Sequence, residues 1–443
     1  MNVTSWGRNS HGYKKIVPES LCTSGPIKIH TTVRFRASGW VMRETLKTRR
    51  YDIDWLRVLV MGLVFFFHCA RFFTGMEWHL NNPRESMAAL IFTGVLDMWF
   101  MPLFFLLSGA GSWYALKSRT NGQYVWERVK RILVPLYTVG LFVMLPPQYF
   151  FEIFSNAGFS GTFWESVPLY FREMSHYSPG WPGGVLPYSF SGHLWFLQFL
   201  FLISLVALPL LRFLRSERGL RFIDKMAGRS ARRGGIFLFL IPVVLVRIGL
   251  RGFMGGEHTW ADFLEFVVYF VIGYILPADG RFTQGIKRHG WFCLVLGAVG
   301  VGVEGLFVLG LGYRYPEGEP FSLLFVIFET AMSMGRWGWI VFVISLGAKY
   351  LNMNGKALSY SNEAVLPFYI FHQTIILCVG WFVIRWDMGI LPKYIIIAVA
   401  SFILIMVLYE LLVRRFNAVR FLFGMRPKKP PAAAVPLSEG TAL

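Results

Sequence analysis

Long apolar segments alternate with short polar ones along most of this chain. Ten apolar windows of roughly 20 residues are each about long enough to cross a bilayer as a helix. They fall at 55–74, 89–116, 132–153, 193–214, 236–252, 260–277, 290–311, 321–348, 363–385 and 394–413. The window at 236–252 is the shortest and contains Pro242 and Arg247. The pattern predicts an all-α, polytopic integral membrane protein with about ten transmembrane helices.

The placement of positive charge predicts the orientation of these helices. Of the 44 Lys and Arg residues, 34 lie in segments that alternate with poorly charged loops, beginning with the N-terminal segment. Because cytoplasmic loops carry the excess of positive charge, both termini are expected to be cytoplasmic. The composition, with 55% hydrophobic and 16% charged residues, is also typical of a membrane protein. The net charge of +19 is thus explained by the cations of the cytoplasmic segments, and no nucleic acid partner is expected.

Three regions are expected along the chain. Residues 1–46 are expected to form a basic, disordered N-terminal extension, 47–425 the transmembrane domain, and 426–443 a disordered tail. A long outer loop at 154–192 is rich in aromatic residues, and 162–173 within it suits a short interfacial helix. An aromatic belt at the membrane surface and a lid facing carbohydrate are both compatible with this loop. The cysteine spacing predicts no metal site.

Ionisable residues inside the first apolar window are the first functional signal, because charges in a membrane are costly and usually functional. Arg57 and His68 have ten residues between them. In a helix this spacing gives a net rotation of about 20° and a rise of about 16 Å, so both face one direction at different depths. A histidine suits a general base, and an arginine suits phosphate or carboxylate. The structural alternatives are snorkelling for Arg57 and a helix-to-helix hydrogen bond for His68.

A carboxylate in the second window lies at a depth similar to that of His68. Asp97 is about eight residues from the outer end of its window, and His68 is about six from the outer end of its own. Such a carboxylate can fix the tautomer of an imidazole, as in other His–Asp pairs. We therefore predict that Asp97 pairs with His68 and count it among the catalytic residues. Farther along, Glu329 and Arg336 are seven positions apart on one helix face, which suggests a structural ion pair.

Further candidates lie at the two ends of the predicted bundle. Arg128, Lys130 and Arg131 stand at the inner mouth of the third window, where three cations suit phosphate groups. An ordinary cluster of inward positive charge is the alternative. On the outer side, we expect substrate contacts from Arg71, at the outer end of the first helix, and from His193, Trp195 and His372, although His372 is also suited to bridging helices.

These motifs together resemble the membrane-bound acyltransferase-3 family, in particular its glucan-succinylating branch. The resemblance rests on Tyr51–Arg57 with the Arg-x10-His spacing to His68, on Met101–Gly109, and on Arg128-x-x-Arg131 leading into Pro135. It rests also on the segments Gly192–Leu197 and Tyr369–Gln373. The matching features run from about residue 50 to 425.

The resemblance implies a function and several residue roles. Members transfer an acyl group from cytosolic acyl-CoA to a hydroxyl of a glycan or other envelope acceptor at the outer face of the inner (plasma) membrane. Arg57, His68, Arg128 and Arg131 match the family position by position, which implies catalytic roles for the first two and binding of the CoA phosphates by the last two, with Lys130 beside them. Acyl-CoA then serves as a substrate, and no tightly bound cofactor is expected. The alternative is a transporter or flippase of an anionic or glycan-linked substrate.

Overall fold

The computed structural model describes residues 50–174, 182, 192–310 and 320–428 of the chain. Within these ranges the regular structure is helical throughout, and no strand occurs. The prediction of an all-α polytopic membrane protein is confirmed. The predicted extension at 1–46 and the tail beyond 428 lie outside the described residues.

Sixteen α-helices make up the described ranges. In chain order, α1 to α16 are Tyr51–Arg71, Met87–Asp97, Phe100–Lys117, Asn121–Arg128, Leu145–Asn156, Phe163–Met174, Trp195–Val206, Leu208–Leu214, Glu217–Ser230, Leu240–Arg251, Trp260–Ile275, Gly280–Gly305, Leu323–Tyr350, Lys356–Val383, Ile390–Leu408 and Asn417–Leu422. Helix α6 matches the helix predicted in the long outer loop. Turns of π-helix at Val129–Leu133, Leu136–Met144, Leu306–Gly310 and Tyr409–Val413 continue neighbouring α-helices.

Every predicted window overlaps a helix, but not every window is a full span. In the described ranges, eight helices are long and apolar enough to cross a membrane, and a ninth span results if α7 and α8 are counted as one helix bent by 50°. The window at 236–252 forms a 3-10 turn, Gly235–Phe239, followed by the 12-residue α10. With 12 residues, α10 is shorter than the helix that a bilayer span requires. We call the end at which α1 begins the inner side, following the predicted orientation.

Local sequence signals determine where the helices that carry candidate residues begin. Thr120 and Gln123 form a capping box at the start of α4: the Gln123 N–H donates to Thr120 Oγ1 (3.3 Å), and the Thr120 N–H donates to Gln123 Oε1 (3.0 Å). These bonds satisfy amide groups that a helix start leaves unpaired. The second span is broken at Met98 and Trp99, between α2 and α3, so Asp97 is the last residue of α2.

Helix α1 lies among the other spans and contacts α2, α3, α13, α14 and α15. Glycines bring α3 against α11: a Cβ at Gly109 would lie 1.9 Å from the Phe270 carbonyl oxygen, and one at Gly273 would lie 1.9 Å from that of Leu106. Small residues permit such close backbone approach between membrane helices. Gly109 ends the motif that begins at Met101, so this motif has a packing role that brings α3 and α11 together beside α1.

Candidate active site

Three histidines from separate segments meet in the outer half of the bundle. His68 is on α1, His372 is on α14, and His193 is in the 3-10 turn Gly192–Leu194 that precedes α7. The ring centroids of His68 and His372 are 4.9 Å apart, and those of His372 and His193 are 5.1 Å apart. His372 is fully buried, His193 is buried, and His68 is partly exposed. The structure thus brings together one predicted catalytic residue and two predicted substrate-binding residues.

Backbone hydrogen bonds define the tautomers of His68 and His372. Nδ1 of His68 lies 2.8 Å from the carbonyl oxygen of Val64, and Nδ1 of His372 lies 2.6 Å from that of Tyr369. A carbonyl oxygen can only accept, so in the neutral rings both protons reside on Nδ1 and both Nε2 atoms carry a lone pair. Nε2 of His68 is therefore in the form that a general base requires.

His193 belongs to a chain of polar contacts, hydrogen bonds followed by an ion-pair contact, that leads to the protein surface. Its Nε2 donates to the Ile370 carbonyl oxygen (3.2 Å), and its Nδ1 accepts from Gln148 Nε2 (2.9 Å). Oε1 of Gln148 accepts from Gln373 Nε2 (3.2 Å), which also lies 3.0 Å from His79 Nε2. His79 Nδ1 in turn lies 2.6 Å from a carboxylate oxygen of Glu152, whose side chain is 38% exposed.

Apart from His193, the members of this chain were not among the predicted site residues. Gln148 is a fully buried amide inside an apolar window, and that placement was the available signal. Gln373 directly follows His372. His79 lies between α1 and α2, next to Trp78, whose ring centroid is 6.3 Å from that of His68. These side chains connect the loop between α1 and α2 to the three histidines.

Asp97 does not pair with His68, so the predicted contact is wrong. Both side chains are described, and no hydrogen bond joins them; the Val64 carbonyl holds the His68 ring instead. The charge of Asp97 interacts with those of Arg71, Arg336 and Glu257. Similar depth along the membrane normal does not fix the lateral position of a side chain, and Asp97 lies among these charges at the break that follows α2.

Arg71 and Trp195 lie outside the group of three histidines. Arg71 donates to the Glu77 carbonyl oxygen (3.0 Å). The Trp195 ring packs against His258, with centroids 4.1 Å apart, and among the described ring contacts none joins Trp195 to the three histidines. Burial lowers the pKa of the His258 imidazole, which favours its neutral form. His258 was not among the predicted site residues.

At the inner side, Arg57 and Arg128 approach the same stretch of α3. Arg128 Nη2 donates to Ser112 Oγ (2.7 Å), and its guanidinium lies over the Tyr124 ring at 5.0 Å. Nη2 of Arg57 is 3.7 Å from the position that a Cβ at Gly111 would occupy. Two guanidiniums from different helices therefore flank neighbouring residues of α3.

The other two predicted phosphate ligands belong to the π-helical turn that follows α4. Lys130 Nζ lies 3.0 Å from one carboxylate oxygen of Glu127, and Arg131 Nε lies 3.5 Å from the other. The Arg131 side chain is 46% exposed. Together with Arg128, these residues give the inner mouth three cations against one local carboxylate, which suits an anionic ligand.

Glu329 and Arg336 do not pair with each other, and this prediction is also wrong. Arg247 binds Glu329 Oε2 through Nε (2.6 Å) and Glu265 Oε2 through Nη1 (2.8 Å). Arg336 pairs with the other oxygen of Glu265 and donates through Nε to the Met98 carbonyl oxygen (2.7 Å). The partners come from α10 and α11, which a periodicity within α13 cannot reveal.

Comparison with known proteins identifies the family of this bundle. Residues 50–410 match the acyltransferase-3 family, described as an acyltransferase domain. The chain belongs to the acyltransferase-3 family. It is an acyltransferase embedded in a membrane by several helices, and this result favours the enzyme over the transporter predicted as the alternative.

Relatives of similar length are glucans biosynthesis proteins C. The one from Salmonella typhi is 25% identical over 411 residues, which cover 87% of this chain and 98% of the relative. The one from Salmonella typhimurium is 24% identical over 401 residues, which cover 86% and 95%. No solved structure matches the chain.

Proposed function

We propose that this acyltransferase moves an acyl group from cytosolic acyl-CoA to a hydroxyl of a glycan at the outer face of the inner (plasma) membrane. One observation carries the proposal. Helix α1 bears Arg57 at its inner side, near the cluster of cations, and His68 at its outer side, with a lone pair on Nε2. The names of the relatives support a glucan as the acceptor. The family match supports the transfer of an acyl group.

The inner mouth suits the nucleotide end of the donor. Arg128 and Arg131, with Lys130, bind the CoA phosphates, and Arg57 guides the donor where α1 and α3 meet. The rise from Arg57 to His68 is about 16 Å, comparable to the reach of an extended pantetheine arm. A donor that is bound at the inner side thus presents its thioester near His68.

His68 then accepts a proton from the acceptor and later releases it. Its Nε2 takes the proton of the acceptor hydroxyl while that oxygen attacks the thioester carbonyl carbon. The new ester bond forms, the carbon–sulfur bond breaks, and CoA leaves as a thiolate. The proton on Nε2 passes to the thiolate, which regenerates the neutral histidine and yields CoA. A transient acyl group on His68 is the variant of this route in which the histidine attacks first.

The test uses the full chain in lipid nanodiscs, with acetyl-CoA and succinyl-CoA as donors and a glucan oligosaccharide as acceptor. Mass spectrometry follows the release of CoA and the acylated sugar. His68→Ala should lose activity by a factor on the order of 10² to 10⁴, the usual contribution of general acid–base catalysis. Arg128→Ala should raise KM for the donor by roughly 10- to 100-fold, because a hydrogen bond to a charged group is lost.

Lys349→Ala is the matched control for the inner cluster. Lys349 is an exposed cation at the inner end of α13, outside the proposed site, and its removal should leave KM unchanged. Acyl transfer by His68→Ala at the wild-type rate would remove His68 from the mechanism. An equal rise of KM in Arg128→Ala and Lys349→Ala would reduce the inner cluster to nonspecific charge.

A further inference from the structure

His372 has a buried nitrogen with no partner. Its Nε2 is fully buried and makes no hydrogen bond within the described residues, although Nδ1 of the same ring is bonded to Tyr369. An unpaired buried polar atom destabilises the fold relative to a satisfied one. An apolar side chain on α14 would avoid this cost, so the lone pair calls for an explanation.

A protonated His68 would have no negatively charged partner among the described residues. If it takes a proton, as in the proposed function, a positive charge appears on a ring whose one described hydrogen bond goes to a neutral carbonyl, that of Val64. The charged and titratable groups near it are Arg71 on its own helix, His79 in the loop between α1 and α2, and His372 and His193 from the other segments. No described carboxylate bonds to His68, so a protonated His68 would lack an anionic partner.

We infer that His372 is a positioning residue that stabilises the protonated form of His68 during acyl transfer. This inference rests on the proposed function of His68 as the base. The two rings meet edge to face, with an interplanar angle of 73°. In an edge-to-face pair the positive edge of one ring is attracted to the electron-rich face of the other. The Nε2 lone pair of His372, which makes no hydrogen bond within the described residues, adds negative potential to a ring whose centroid is 4.9 Å from that of His68.

The surroundings hold His372 in this arrangement. Its Nδ1 proton is bound by Tyr369, so Nε2 retains its lone pair. The His193 ring packs against it edge to face, and the hydrogen bonds of His193 to Gln148 and Ile370 hold that ring in turn. The Val64 carbonyl fixes the His68 tautomer, and His372 is the neighbouring ring that interacts with the charge once His68 is protonated.

The test is the pH dependence of kcat in His372→Leu and His372→Gln. Interactions of a cation with a neutral ring contribute about 0.5–2 kcal/mol, so kcat at its plateau should fall roughly 3- to 30-fold in the leucine variant. Because His68 then binds its proton less tightly, the acidic limb of the profile should move to lower pH. Glutamine, whose amide oxygen can accept a hydrogen bond, should shift the limb less, and KM for acyl-CoA should stay unchanged.

His289→Gln is the control, because both nitrogens of His289 are bonded, Nδ1 to the Gly285 carbonyl oxygen (2.9 Å) and Nε2 to the Gly234 N–H (3.1 Å). Its profile should match the wild type. An acidic limb that stays at the wild-type pH in whichever His372 variant folds would overturn the inference. Activity in His68→Ala would instead refute the proposed function, so the two failures are distinguishable.

Discussion

Two buried polar clusters in the same bundle satisfy their polar groups in different ways. The ion network joins Arg247 and Arg336 to Glu265 and Glu329, so two positive charges face two negative ones. In the histidine cluster of His68, His193 and His372 the described backbone partners are uncharged carbonyl oxygens, and Nε2 of His372 makes no hydrogen bond within the described residues. Both clusters are costly to place between apolar helices.

The difference separates a structural use of buried polarity from a functional one. In the ion network each buried charge lies beside an opposite charge of the folded chain, although one oxygen of Glu329, Oε1, makes no hydrogen bond among the described residues. A neutral imidazole with a lone pair is incomplete until a proton or a substrate arrives. The ion network should therefore govern stability, and the histidine cluster should govern the rate of acyl transfer.

The largest expected effect on stability comes from Glu265→Gln. Glu265 is buried and contacts both arginines of the network, so its neutralisation leaves an uncompensated positive charge. Breaking a buried ion pair in this way costs about 3–5 kcal/mol. Thermal unfolding in detergent should show a large drop of the midpoint, while acyl transfer per folded molecule stays close to the wild type.

Glu410→Gln is the matched control for this effect. Glu410 pairs with Arg414 at 2.9 Å, and both side chains are about 40% exposed. Exposed pairs contribute about 0–1 kcal/mol, so the midpoint should barely move. If both variants lowered it equally, the ion network would not have the structural role that the comparison assigns to it.

A smaller effect is expected from Gln148→Leu, which tests the other cluster. The change leaves His193 Nδ1 and one Gln373 N–H without their partners, at a cost of about 1–3 kcal/mol. Because His193 packs against His372, kcat should fall while KM for acyl-CoA stays constant. The measurements are the thermal midpoint and the kinetics of the folded fraction. A lower midpoint with unchanged kcat would make the hydrogen bonds of Gln148 to the cluster structural.

Relations within one helix were predictable from the sequence. The periodicity of α1 fixes the directions of Arg57 and His68 because a helix has a regular rotation and rise per residue. Apolar length likewise predicted the spans, except for the short window at 236–252 and the window at 193–214, which is bent by 50° between α7 and α8. The family motifs lay in order along the chain, and the match over 50–410 confirmed the family.

Relations between helices were not predictable in the same way. Glu329 and Arg336 share a face of α13, yet each finds its partner on another helix, because packing decides which faces meet. Similarly, depth in the membrane suggested Asp97 as the partner of His68, while the break after α2 and the charges near it hold Asp97 elsewhere. The hydrogen bonds of Gln148 depend on contacts between residues that are far apart in the sequence.

The smallest expected effect comes from Asp97→Asn, which tests whether Asp97 takes part in the histidine cluster. If Asp97 oriented His68 as in a His–Asp pair, the amide would lower kcat by about 10⁴-fold. Since the Val64 carbonyl already fixes the His68 ring, kcat should change by less than about threefold, or roughly 0.7 kcal/mol. The kinetics of Asp97→Asn beside those of His372→Leu measure this directly. A loss of several hundredfold in the asparagine variant would return Asp97 to the catalytic site and give His68 a charged partner.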